Sequence, residues 1–134
     1  MATAQSNAEP EWITVGQTVV IIRDNIQQIE IPGEEEGETD IAWQWDETRL
    51  SPVEYGELQK GHWKGPWTAN THKVFREYQH DRTIGLYDLA ARKARSDAST
   101  WEPYILALDA WNAQISALAE GYSTNVPDLP AQPQ

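Results

Sequence analysis

The chain has no cysteine, one phenylalanine, one methionine and only 10 Lys and Arg among its 134 residues. Without cysteine there can be no disulfide, no thiolate zinc site and no thiol nucleophile. The longest unbroken apolar run is Val19-Val20-Ile21-Ile22, far short of the roughly 20 residues that span a bilayer. No basic stretch followed by an apolar one opens the sequence as a secretory signal would. These absences predict a soluble protein made in a cytoplasm, with no membrane partner. The few bases stand beside 21 Asp and Glu, for a net charge of −11. General binding to nucleic-acid backbones needs clustered Lys and Arg, so that partner class is not expected either.

What is present changes the picture. Leu, Ile, Val and Phe make up about 19 per cent of the chain, which together with the charge is a composition typical of disorder. Seven Trp and five Tyr move it back toward folding, because each buried aromatic removes roughly 150–250 Å² from water. A small core resting on few, large anchors is expected.

Charge is laid out in blocks: residues 1–59 carry a net −11, residues 60–95 a net +5 and residues 96–134 a net −5. Opposite fields of this kind either face each other within one fold or favour head-to-tail docking between copies and steering toward a charged partner.

Residues 1–10 lack apolar anchors and predict an N-terminal arm. Thr18 to Ile22 and Ile26 to Ile31 are dominated by β-branched residues and flank Arg23-Asp24-Asn25, where Asp and Asn tolerate turn conformations; the pattern predicts a hairpin. The double Gln at 27–28 breaks strict alternation and suggests a bulge or twisted edge. Pro32-Gly33 ends the second strand, and an acidic loop (Glu34-Glu35-Glu36-Gly37-Glu38) follows. Ile41, Trp43 and Trp45 alternate with Ala42, Gln44 and Asp46, the period of a strand with one buried face. Trp12 to Val15 offers a fourth strand.

Ser51-Pro52-Val53-Glu54 forms a capping box with Pro at the first helical position, predicting a helix from Pro52 to about Lys60 that Gly61 stops. His62 to Trp67 reads as a rigid aromatic loop. Asn70 or Thr71 can cap a second helix carrying Val74, Phe75 and Tyr78 on one face. A third helix to about Arg95 bears Ile84, Tyr87, Ala91 and Ala94. Trp101, Tyr104, Leu108, Trp111, Ile115, Leu118 and Tyr122 then run at 3-4 spacing through three heptads. Ser99 and Glu102 suggest a helix start near Thr100, with Gly121 as its end. This stripe is expected to pack against the third helix as an antiparallel pair, with part left over for a partner. Pro127, Pro130 and Pro133 make residues 123–134 an extended tail. The expected fold is therefore α+β: an N-terminal antiparallel β-meander with a short helix over 11–60, a linker loop and helical hairpin or bundle over 61–122, and the tail.

No catalytic constellation emerges. His62, His72 and His80 share no metal-binding spacing, and the acidic loop lacks the alternating oxygen ligands of an EF-hand. Nucleophile-elbow and phosphate-loop patterns are absent. No enzyme activity, cofactor or metal is expected. Arg92-Lys93-Ala94-Arg95 fits cations placed at a helix C-terminus, where the macrodipole favours them, with a contact to nucleic acid or an acidic partner as the alternative. The Trp residues are the functional lead, since Trp and Tyr concentrate in binding hot spots. Trp43, Trp45, Trp101 and Trp111 sit at patterned, core-like positions. Trp12, Trp63 and Trp67 lie in loop or edge contexts and are the better interface candidates. With the surplus of the heptad stripe the expected partner-binding set is Trp12, Trp63, Trp67, Trp101, Trp111 and Tyr122. Trp63 and Trp67 could also stack on sugars, so a carbohydrate-binding module is the alternative.

The layout resembles small accessory proteins of tailed-phage tail fibres and baseplates, in particular the tail-fibre assembly (chaperone) group. The residues that carry this are Val19 to Asn25 entering a hairpin, Trp43-Gln44-Trp45-Asp46-Glu47 leading toward Glu54-Tyr55, Leu89-Ala90-Ala91, Trp101-x-x-Tyr104 with Ala107-Leu108, and the Pro-rich end. Pro103 and the Gly/Trp/Pro-rich middle depart from the group's pattern. The resemblance implies a non-enzymatic component of the virion tail, made in the host cytoplasm. It would grip a fibre or baseplate protein, and further copies of itself, through exposed Trp and Tyr, its β-edge and its terminal arm and tail. An assembly chaperone that leaves before the particle matures is the alternative within the same group.

Overall fold

The computed structural model describes the backbone of residues 2–6 and 8–134, and the side chains of Ser6 and of residues 8–134. The fold is α+β, with strands in the N-terminal part and helices in the C-terminal part. The chain divides into two compact units, Met1–Gly56 and Glu57–Gln134.

The first unit is a four-stranded antiparallel sheet in the order β1-β4-β3-β2. Its strands are β1 (Ala2–Ser6), β2 (Ile13–Val15), β3 (Val20–Pro32) and β4 (Thr39–Leu50). Two expectations are corrected here. The segment expected to be an N-terminal arm contributes β1, which pairs with Trp43 to Glu47 of β4; Met1 and Asn7 of that arm lie outside the described residues. Pairing of this kind is made by main-chain groups, so the lack of apolar anchors did not prevent it. The turn expected at Arg23-Asp24-Asn25 is instead a bulge inside one long strand: Asp24 faces Asp46, Gln27 faces Gln44, and Asn25 and Ile26 together oppose Trp45. Asn25 takes φ +54, the left-handed region that Asn tolerates better than most residues. The same tolerance that suggested a turn is used to add one residue to a strand.

That extra residue keeps the faces consistent. Val20, Ile22 and Asp24 lie opposite Leu50, Thr48 and Asp46, and beyond the bulge Gln27, Ile29 and Ile31 lie opposite Gln44, Ala42 and Asp40. All of them share one face, because β4 runs through unbroken. The other face carries a linked set: the Arg23 guanidinium lies 5.6 Å from the Trp45 ring, the Trp45 indole N–H donates to Glu47 at 3.1 Å, and Arg49 Nε donates to the other Glu47 oxygen at 3.1 Å. The β3–β4 loop closes tightly. Gly33 N–H donates to the Glu38 carbonyl at 2.8 Å, and a Cβ on Gly33 would stand 2.6 Å from that of Glu38.

Helix α1 (Pro52–Lys60) begins with the expected capping box: Glu54 N–H donates to Ser51 Oγ at 3.1 Å, and Ser51 N–H to Glu54 Oε1 at 2.9 Å. It ends in a Schellman motif, with His62 N–H donating to the Glu57 carbonyl at 2.8 Å and Gly61 at φ +86.

The second unit continues with α2 (Ala69–Asp81), α3 (Ile84–Ala94) and α4 (Ala98–Glu120). Helix α2 is capped by Thr68, which forms a box with Thr71; Thr71, expected as a cap, is its third residue. Helix α4 starts two residues earlier than the Ser99/Glu102 pattern suggested, after Asp97. Pro103 therefore stands inside the helix, where it cannot donate to the Ser99 carbonyl. Both α2 and α3 pack antiparallel along α4. Ala90 of α3 forms a buried cluster with Tyr104 and Leu108 of α4. At the α2–α3 junction a polar set pins the turn to α4: Thr83 Oγ1 donates to the His80 carbonyl at 2.6 Å, Asn112 Nδ2 to Thr83 at 3.2 Å and to the Tyr87 hydroxyl at 3.1 Å, and Tyr87 to Asp109 at 2.6 Å.

On α4 the buried positions are Tyr104, Leu108, Trp111, Ile115 and Ala119. The seam thus drifts off the strict heptad, as a straight 3.6-residue helix must, and Ala119 takes the place expected of Leu118. The extended tail is not free in the described structure, because the Pro127 carbonyl accepts the Trp111 indole N–H at 3.0 Å.

Candidate functional site

Two features of the units present unsatisfied or apolar chemistry at the surface. In the first unit it is the distal half of the β3–β4 ribbon. Strand β1 covers β4 only from Trp43 to Glu47, and β2 pairs β3 only from Val20 to Ile22. Beyond those limits Ile29–Pro32 and Thr39–Ala42 pair with each other alone among the described strands. Their outer edges present main-chain donors and acceptors in the alternating order another strand would need. An isolated two-stranded ribbon is marginal in water. This one carries apolar residues on both faces: Ile29 and Ile31 on one, half-buried, and Ile41, 57 % exposed, with half-buried Trp43 on the other. Glu34, Glu35, Glu36 and Glu38 at its tip are all exposed and give that end a strong negative field.

In the second unit it is an aromatic group around His72, built by the loop that precedes α2. Gly65 lies flat against the Trp63 ring, and a Cβ there would stand 2.2 Å from it. The Trp67 indole N–H donates to the Trp63 carbonyl at 3.1 Å, and the two rings meet edge-on at 5.8 Å. Trp67 in turn lies 4.6 Å from His72 and 6.1 Å from Phe75. On its other side His72 stacks on Tyr122, with centroids 4.5 Å apart and planes at 17°. Burial pushes the His72 pKa below 6.5, its ordinary value.

No family model, curated protein or solved structure matches the chain.

The partner-binding residues expected from the sequence fall into four places. Trp63, Trp67 and Tyr122 come together around His72; the two indoles are half-buried and Tyr122 is exposed. Trp67 packs its ring near His72 and Phe75, and Trp63 lies against Gly65. Trp12 is half-buried in the first unit, where with Glu9, Pro10, Glu11 and Ile26 it borders a surface hollow. Trp101 is half-buried, packs against the α3–α4 cluster and meets Tyr104 edge-on at 5.8 Å. Trp111 is a correction: it is 3 % exposed, with its N–H bonded to Pro127 and the Arg82 guanidinium 5.9 Å from its ring. It is a core residue with no face left for a partner.

Sequence reasoning passed over two contributors. His72 drew attention only as a weak metal candidate, though Trp67 and Phe75 five residues before and three after it were a hint of an aromatic cage. From the sequence Ile29, Ile31 and Ile41 read as ordinary strand residues. Nothing in their spacing tells how far the neighbouring strands extend. Among the described residues no group of three or more His, Asp or Glu side chains could hold a metal ion. The Arg92 and Lys93 side chains lie in the last turn of α3, and Arg92 pairs with Asp88 at 3.2 Å.

Proposed function

We propose that this protein is a non-enzymatic accessory component of a phage tail, which attaches to a fibre or baseplate protein through the distal β3–β4 ribbon. The observation that carries the reading is the ribbon itself: two strands with uncovered outer edges and isoleucines on both faces. A partner strand added to either edge would complete main-chain hydrogen bonds, while Ile29, Ile31, Ile41 and Trp43 would supply the apolar contacts that give specificity. The acidic tip favours a partner strand flanked by Lys or Arg and speeds encounter with it. The layout's resemblance to tail-fibre accessory proteins supplies the class of partner.

Mass spectrometry of purified mature particles from the phage that encodes this chain, after photo-cross-linking from a reactive residue placed at Ile41, tests the reading. The expected result is a cross-link between this chain and a fibre or baseplate protein. Cross-links to such a protein only in assembly intermediates would make the chain a departing chaperone. Cross-links to no tail protein in either sample would overturn the proposal.

A further inference from the structure

A cavity of about 240 Å³ opens beside His72 in the second unit, and its lining includes Ala69, Lys73 and Arg76 of α2, Glu120 of α4, and Tyr122. Four independent features converge on it. His72 is 2 % exposed, and neither ring nitrogen has a hydrogen-bond partner. Burying an imidazole this way is costly unless something in the cavity meets those nitrogens. Ala69 is the first residue of a 13-residue helix, so the cavity lies at an N-terminus, where the macrodipole favours negative charge. Lys73 and Arg76 follow on the same helix at one-turn spacing and bring positive charge to the rim. Finally, Tyr122 holds φ +56 at the position after the C-cap of α4, where glycine is usual, and this backbone sets its ring over His72.

We propose that this cavity is a carboxylate-binding subsite, which takes one acidic side chain or chain terminus of a partner protein. The charged groups facing His72 are Lys73 and Arg76 on α2 and Glu120 on α4. With His72 neutral they sum to +1, which matches a single carboxylate and disfavours a phosphate dianion. The planar guanidinium of Arg76 suits a two-oxygen acceptor, and an imidazole nitrogen of His72 donates to it. The bound charge favours the protonated imidazole, so occupation and protonation of His72 reinforce each other. This inference concerns the second unit and does not depend on the ribbon or on the identity of any tail partner.

The test is an NMR titration of the full chain, following the ring Cε1–H resonances of His62, His72 and His80. Sodium acetate is the probe, sodium chloride the ionic-strength control and inorganic phosphate the competing anion. Acetate is expected to shift His72 saturably and to raise its pKa, with His62 unmoved. Arg76→Gln should weaken the effect about tenfold, and Glu120→Gln, which removes the one repulsive charge, should tighten it. A His72 resonance that does not saturate with acetate, or that responds equally to chloride, overturns the proposal. So does phosphate saturating at lower concentration than acetate, which would place the ligand in another class. Should Arg76→Gln fail to fold, Glu120→Gln decides alone: binding unchanged or weaker counts against the subsite.

Discussion

Ile22 and Ile29 lie on the same face of one strand although seven residues separate them. Ile22 faces Thr48 and Ile29 faces Ala42, and those partners are an even six residues apart on the unbroken β4. An odd separation along a regular strand would put the two isoleucines on opposite faces. The bulge at Asn25 and Ile26 restores the parity, so Val20, Ile22, Ile29 and Ile31 stay on one face.

Deleting Asn25 should therefore remove the bulge and leave Ile29 and Ile31 on the face of Ile22, whereas inserting one residue between Gln27 and Gln28 should turn both isoleucines to the opposite face. Both isoleucines are half-buried, so the expected loss is about 1–3 kcal/mol in the unfolding of the first unit. Chemical denaturation checks this, and binding of a hydrophobic dye should rise. An insertion variant as stable as the parent would mean the register beyond the bulge is not held by these faces.

The sheet should also lose stability in acid through Glu47. Burial alone would raise its pKa, but the hydrogen bonds from Trp45 and Arg49 and the charges of Arg49 and Arg23 outweigh it and hold the carboxyl below 4.5, its ordinary value. A carboxylate depressed in the folded state stabilises fully above its unfolded pKa, and the contribution disappears as pH falls through the folded value. The denaturation midpoint of the parent should thus drop below about pH 4.5, and Glu47→Gln should flatten that part of the curve.

Gly65→Ala would place a methyl group against the Trp63 ring. Either the ring or the loop must move, at an expected cost of about 1–3 kcal/mol. A red-shifted Trp emission should accompany it as Trp63 and Trp67 separate. An unchanged spectrum and stability would contradict the folded loop.

Within α4, Leu106 and Leu108 make a matched pair two residues apart, 68 % and 0 % exposed. Leu108→Ala should cost about 2–5 kcal/mol, whereas Leu106→Ala should stay within about 0.5 kcal/mol. Equal effects would mean the helix is rotated from the orientation described.

Much of this architecture could be read from residues alone where a local signal is also the tertiary one. Ser51 with Glu54, and Gly61 after Lys60, fix both ends of α1 by hydrogen bonds that the adjacent residues make themselves. The Trp101-to-Ile115 spacing fixes which face of α4 is buried. The failures arise where one local preference serves two structures. Asp24-Asn25 suits a tight turn or a bulge, and only the length of β4 decides between them. Ala2–Ser6 carries no side-chain pattern, so its pairing with β4 was invisible. Trp111 and Tyr122 belong to one apolar stripe, yet the helix ends at Glu120 and only Trp111 follows the seam inward. The His72 cavity depends on Tyr122 adopting a backbone conformation that aromatic residues rarely take, which no periodicity announces.

The central claim is that the distal ribbon is a docking edge. Hydrogen–deuterium exchange of the amides of residues 29–32 and 39–42, compared between the isolated chain and the chain bound in a tail assembly, tests it most directly. The account predicts rapid exchange at the outward-facing amides of this ribbon in isolation and strong protection on binding, with the β1-covered segment of β4 unchanged. Identical exchange in the two states, or protection confined to the helices, would contradict it.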